Sequence, residues 1–143
     1  MTTVTFTVYG LPAAQGSKRH VGRGIMVESS KNLKPWREAV KHAALDAGGY
    51  LGICPLELTV TFYFPRPKSH YRSGKHAGVL KADAPRFKGS MPDLSKLIRA
   101  TEDAITDSGL WKDDALVAQV RATKEYSGDF MGAVVSISEI GED

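Results

Sequence analysis

Between Leu56 and Phe64 the chain reads Leu-Glu-Leu-Thr-Val-Thr-Phe-Tyr-Phe, with an apolar residue at every second position. A period of two sends alternate side chains to opposite faces of an extended backbone, so the segment predicts a half-buried strand. Pro65 and Pro67, which lack an N–H for a ladder, close it. Thr3 to Tyr9 alternates in the same way until Gly10-Leu11-Pro12 breaks it. Gln15 to Ile25 holds Gly16, Gly22 and Gly24 among basic residues and reads as a flexible loop, with Met26-Val27-Glu28 a short strand closing a hairpin.

Elsewhere the period is helical. Lys34-Pro35-Trp36 opens a helix, because the first turn has no use for the missing N–H of proline. Trp36, Ala39, Val40, Ala43 and Ala47 then share one face, and Gly48-Gly49 stops the helix. A second helix starts at Pro92-Asp93, runs to the region of Asp107 and stops at Gly109, burying Leu94, Leu97, Ile98, Ala104 and Ile105. Ala115 to Val120, extendable through Thr123, and Ala133 to Ile137 read as two more strands. Residues 66–90 show neither period, and an unstructured loop of that length is uncommon in a compact domain unless it is functional or disordered. No repeat or linker divides the chain. The expectation is one α+β domain over residues 1–143, a small mixed sheet of four or five strands with two main helices packed on it, the strand order left open.

Composition narrows the class. With 143 residues, 42% hydrophobic and 24% charged, the chain buries a real core and is no disordered segment. No run approaches the roughly 18 apolar residues of a membrane span, and no basic-then-apolar leader stands at the start, so a cytoplasmic protein is expected. The single cysteine, Cys54, excludes an internal disulfide and a cysteine-based zinc site, and is expected to be a small buried residue at the head of a strand. His70 and His76 lie in a basic loop with no acid close in sequence, a poor zinc site. The net charge of +3 hides a segregation. Residues 65–90 carry seven Lys or Arg against the single acid Asp83, and residues 91–143 carry eleven acids against five bases. A basic stretch running straight into an acidic one suggests a polyanionic ligand with a carboxylate-rich site beside it.

Two acidic features are candidates for chemistry: Asp93 at the head of the second helix, and the Asp113-Asp114 pair after it. Converging carboxylates bind Mg²⁺, a hard cation that prefers oxygen ligands. Equally, Asp after Pro is a common helix cap, and Asp-Asp before a strand is common turn chemistry. The helix carries the chain roughly 20 Å between them, so their meeting is not given by the sequence.

Pro-Asp-Leu-Ser-Lys-Leu-Ile-Arg-Ala-Thr-Glu-Asp-Ala-Ile-Thr, followed by Ser-Gly-Leu-Trp-Lys-Asp-Asp-Ala-Leu-Val, resembles the RusA-type Holliday junction resolvases. That family carries a Pro-Asp-x-Asp-Asn-x-x-Lys helix start, a continuing Asp-Ala-Leu, and a Gly-(Val/Ile)-x-x-Asp-Asp segment before a strand. The opening strand with Gly10-x-Pro12, and Phe62-Tyr63-Phe64-Pro65-Arg66-Pro67-Lys68, agree more loosely. By position the resemblance makes Asp93 the first catalytic aspartate, Asp114 the distal one, Asp113 the acid beside it and Asp103 a supporting acid. Ser95 stands where the family has its second aspartate, and Arg99 where it has lysine. Glu102, on the same helical face as Ser95, either supplies the missing carboxylate or pairs with Arg99.

The resemblance implies an endodeoxyribonuclease, of phage or prophage type, that resolves four-way or other branched DNA by paired nicks and works as a homodimer. Its cofactor would be Mg²⁺, with Mn²⁺ as a substitute. Asp93, Asp114, Asp113 and Ser95 would hold the metal, and Arg99 would stabilise charge on the phosphoryl oxygens. Lys18, Arg19, Arg23, Lys75, His76, Lys81, Lys88 and Lys96 would contact DNA phosphates. Tyr71 and Phe87 either stack on an unpaired base or anchor their loop. The Ser95 departure motivates an alternative, a junction-binding protein with weakened or lost catalysis. A blander one is an interaction domain using the acidic stretch from Asp129 to Asp143.

Overall fold

The alternating segments form a sheet and the helical ones two helices. The computed structural model describes residues 2–15, 18–20, 26–28 and 31–141, with 18–20 and 26–28 described as backbone only. In chain order its elements are β1 (Thr3–Tyr9), β2 (Lys18–His20), β3 (Met26–Glu28), α1 (Leu33–Ala47), β4 (Leu56–Pro65), α2 (Leu94–Ser108), β5 (Val117–Ser127) and β6 (Gly132–Glu139). The fold is α+β: β1, β6, β4 and β5 lie side by side in that order, and β2 and β3 pair as a separate antiparallel hairpin. β6 is antiparallel to both neighbours, whereas β4 and β5 are parallel.

A parallel pair needs a crossover. Here the crossover is the basic segment and α2, so α2 runs back along the sheet from the end of β4 to the start of β5. That topology fixes the site, because it puts the two ends of α2 at opposite ends of the strands.

Both helices cover one sheet face. The sharp alternation of β4 buries Leu56, Leu58, Val60, Phe62 and Phe64 on that face, where they meet Val135 and Ile137 of β6 and the helices. Trp36 and Trp111 are essentially sealed, and the Trp36 ring lies 6.3 Å from that of Phe62. Each such large side chain contributes roughly 1.5–3 kcal/mol by leaving water. The opposite face is wet and hydroxyl-rich, with Thr3 bonded to Ser138 and Thr5 to Ser136 across β1 and β6.

Several expectations shift. α1 buries Leu33, Trp36, Val40 and Ala44, while Ala39 and Ala43 are half-buried and Ala47 is exposed, because the helix contacts its neighbours along a slightly rotated stripe. α2 buries Leu97, Ala100, Thr101, Ala104 and Ile105, leaving Leu94 and Ile98 half-buried. The buried set is rich in small residues, and buried Thr101 satisfies its hydroxyl by donating to Leu97 O. Cys54 precedes β4 but is half-buried, not buried. Asp114–Leu116 form a 3₁₀ turn, and β5 begins at Val117 and runs to Ser127, longer than the alternation suggested.

Residues 66–90 are not structureless. They hold two 3₁₀ turns (Lys68–His70 and Gly74–His76), a Tyr71–Leu80 bridge and a return to the sheet, where Lys88 N donates to Lys124 O and Tyr126 N to Arg86 O. Arg66 donates to Pro85 O and, with Lys88, lies over the Tyr126 ring, which His70 meets edge-on. These contacts have no sequence period, so no hydrophobic pattern announces them.

Candidate active site and nucleic-acid face

Asp93 is the N-cap of α2. Its Oδ1 accepts hydrogen bonds from Ser95 Oγ at 2.7 Å, Ser95 N at 3.0 Å and Lys96 N at 3.4 Å. The Ser95 hydroxyl, followed by the Lys96 amide, holds the carboxyl below the usual aspartate range, so Asp93 is ionised and exposed to solvent. Oδ2 accepts no hydrogen bond among the described residues. The cap therefore uses one oxygen of Asp93 and leaves the other available.

The chain entering Asp93 is pinned to the sheet. Lys124 of β5 donates to Ser90 O and Pro92 O, each at 2.8 Å. Lys88 donates to Ser90 Oγ and rests over the Phe64 and Tyr126 rings. Nothing in the charge pattern distinguished Lys124; its signal is its place on the core face of β5, opposite Phe62, where a lysine needs a polar partner.

Asp113 and Asp114 flank the turn into β5. Asp113 Oδ1 accepts from Ala115 N. That amide, then the side-chain hydrogen bond with Asp114, holds Asp113 low, whereas Asp114 is pushed up by that same hydrogen bond, by some desolvation and by the negative charges of Asp113 and Asp103. Glu102 is also pushed up, first by burial and then by Asp114 and Asp103. It forms no ion pair with Arg99, which is exposed. Asp103 accepts a 2.6 Å hydrogen bond from Gln15 Nε2; Gln15 N donates to Lys96 O, while its buried Oε1 has no partner among the described residues. Gln15 escaped notice in the sequence because its partner is 88 residues away.

The candidate acids thus form two groups, and one chain does not bring them together. Asp113, Asp114, Asp103 and Glu102 act on one another, while Lys96 is the charge that acts on Asp93. Asp93 stands about 15 Å up the axis of α2 from the level of Asp103. Among the described residues no three His, Cys, Asp or Glu side chains close around one point. The donor chemistry, open carboxylate oxygens at an exposed helix end and an adjacent aspartate pair, fits a hard divalent cation held by one or two carboxylates with water and phosphate. It does not form a closed cage.

Of the expected DNA contacts, Lys75, His76 and Lys81 are exposed on the ordered basic segment, and Lys88 and Lys96 are half-buried near Asp93. Lys18 and Arg19 lie on β2 with side chains outside the described residues, as is the whole of Arg23. Tyr71 and Phe87 both take part in bridges that anchor the segment, although Phe87 keeps an exposed ring under Arg86. No helix among the described residues is long and apolar enough to cross a membrane.

Comparison with known proteins gives a family and a relative. The family model described as Endodeoxyribonuclease RusA matches residues 10–138, which include Asp93, Glu102, Asp103, Asp113 and Asp114. A protein named "Uncharacterized protein YqaN" from Bacillus subtilis (strain 168) is 30% identical, over 89% of this chain and 90% of its own.

Proposed function

The chain belongs to the RusA endodeoxyribonuclease family, and on that premise we propose that it is a Mg²⁺-dependent, structure-selective nuclease that resolves four-way or other branched DNA by paired nicks. The observation that carries this reading is Asp93, ionised and solvent-facing at the amino end of α2, with one carboxylate oxygen spent on the cap and one open. Asp93 and the Asp113–Asp114 pair are the groups that would hold the metal, with Ser95 beside them; Mn²⁺ would serve the same oxygen donors. When bound, a divalent ion supplies Lewis acidity and charge neutralisation at the scissile phosphate.

The chain's own residues do the rest. Ser95 fixes the Asp93 rotamer, and Lys124 fixes the backbone on which Asp93 stands. Exposed Arg99, two turns into α2, offers a planar fork to the phosphoryl oxygens. Lys75, His76, Lys81, Lys88 and Lys96 contact the sugar–phosphate backbone, with Lys18, Arg19 and Arg23 extending the same role. The active unit is a homodimer acting in the bacterial cytoplasm, as a prophage or phage protein. Asp93 stands at the amino end of α2 and Asp114 beyond its carboxyl end, so a two-fold pair in which Asp93 of one copy faces Asp114 of the other assembles both around one phosphate.

The test is cleavage of a synthetic four-way junction against a linear duplex of matched sequence, with and without Mg²⁺. Mg²⁺-dependent, paired cutting of the junction alone is expected; equal cutting of both substrates removes structure selectivity. A second reading, junction binding with weakened catalysis, is favoured by the use of Ser95 Oγ as a donor to Asp93, where a second carboxylate would be a metal ligand. Cleavage that emerges only in Ser95→Asp supports this second reading, and robust wild-type turnover removes it.

A further inference from the structure

Beside Asp93 lies a groove of about 520 Å³. Its floor is the loop after β1 together with the end of β4, where Pro12, Ala13, Ala14 and Phe64 are buried. Its lips are Leu11 and Met91, exposed at 38% and 73%, two flexible apolar side chains that gain nothing from water. Its end wall is Pro92, the residue before Asp93. The volume falls within the roughly 300–1,000 Å³ of pockets that take small organic groups.

Two polar groups stand on its rim. Asn32 is the N-cap of α1, a position where asparagine is among the best capping residues, yet its side chain makes no cap hydrogen bond and lines the groove instead. Lys88 also lines the groove, its ammonium held over two aromatic rings and bonded to Ser90 Oγ. Flat apolar walls, one neutral amide and one cation beside a phosphate-directed carboxylate suit a nucleobase joined to its phosphate.

We infer that this groove receives one unstacked nucleobase of the DNA strand being cut, at the nucleotide adjoining the phosphate addressed by Asp93. The inference rests on the nuclease reading for the identity of the strand. Leu11 and Met91 close on the two faces of the base, Asn32 meets its hydrogen-bonding edge, and Lys88 meets the flanking phosphate. Unstacking a base costs a few kcal/mol in a duplex and least where pairing is already interrupted. A branch point interrupts the stack between arms and a continuous duplex does not, so the groove is a determinant of structure selectivity that needs no base-specific code.

The experiment places 2-aminopurine at the nucleotide adjoining the cut in a four-way junction, with Ca²⁺ in place of Mg²⁺ so that binding is read without cleavage. Fluorescence of the wild-type complex is expected to change as the base leaves the stack, and Leu11→Ala/Met91→Ala is expected to lose that change. In Mg²⁺, the double variant is expected to cut the junction at least about tenfold more slowly, the loss of one base-stacking platform. An abasic site at the same nucleotide should slow the wild type equally and slow the variant no further. A wild-type complex with no fluorescence change, or an abasic penalty that adds fully to that of the variant, overturns the inference. A wild type that binds the junction with the fluorescence change but cuts nothing overturns the nuclease reading instead and leaves the groove assigned.

Discussion

Asp93 carries two jobs on two oxygens. As an N-cap it satisfies amide N–H groups that the first turn of α2 cannot pair internally. As an ionised, exposed carboxylate it is the group on which cleavage is proposed to depend. The sequence posed these as alternatives; the geometry makes them compatible, because capping occupies Oδ1 only. Asn caps as well as Asp, so Asp93→Asn is expected to melt within a degree or two of wild type while junction cleavage falls to background, with junction binding retained. Asp93→Ala is expected to lose cleavage and stability together. An Asn variant that cuts normally would remove Asp93 from the mechanism. Ser95 gives a second handle. Its hydroxyl is the main cause of the low Asp93 pKa, so Ser95→Ala should raise that pKa towards the ordinary aspartate value in metal-free protein, read by carboxyl NMR titration. The sign follows from linkage: a depressed carboxylate favours the fold above its unfolded pKa, and that preference fades as pH falls through the folded value. Ser95→Ala moves the fading to higher pH. An unmoved titration shows that the hydroxyl does not hold the charge.

At the level of elements, the clean periods were the ones that could be read. β1, β4, α1, α2 and β6 have their inward residues dictated by burial, which leaves a repeat in the chain. β5 was read short, to Val120 or Thr123, because Lys124 and Tyr126 interrupt the apolar set on its core face and its outer edge is largely exposed. The 66–90 segment was read as a loop because cation–aromatic contacts and isolated bridges order it, and neither repeats. Lys124 belongs to both failures. It is the strap between β5 and the turn that presents Asp93, through two carbonyls at 2.8 Å. A misplacement of about 1 Å at a reacting group can cost on the order of 100-fold in rate. Lys124→Met, which keeps the apolar stem, is therefore expected to lower the cleavage rate at least about tenfold with junction affinity nearly unchanged. If affinity falls as far as the rate, Lys124 acts as a DNA contact and not as a strap.

Across the whole molecule, net charge says little and its placement says much: the basic crossover reaches α2 at Asp93, and the acids gather where α2 hands over to β5. The identities of the candidate residues were legible in the local pattern from Pro92 to Val117. Their distance along α2 was legible too, but whether the chain brings Asp114 back to Asp93 was not, because that depends on β4 and β5 being parallel neighbours, a pairing that no local signal carries. With Asp93 at one end of α2 and Asp114 beyond the other, the two-copy site has a consequence that a one-chain site lacks. The protein should run in solution at twice its 15.5 kDa chain mass. Mixing Asp93→Asn with Asp114→Asn, each inactive alone, should restore cutting. In the mixed dimer one site combines both substitutions, while the other joins the intact Asp93 of one copy to the intact Asp114 of the other. Random exchange makes roughly half of the dimers mixed, and each can nick one strand only. The expected product is a nicked junction without paired resolution. If exchange is verified and the mixture stays inactive, both aspartates serve within one chain, and α2 must then shift against β5 on binding DNA.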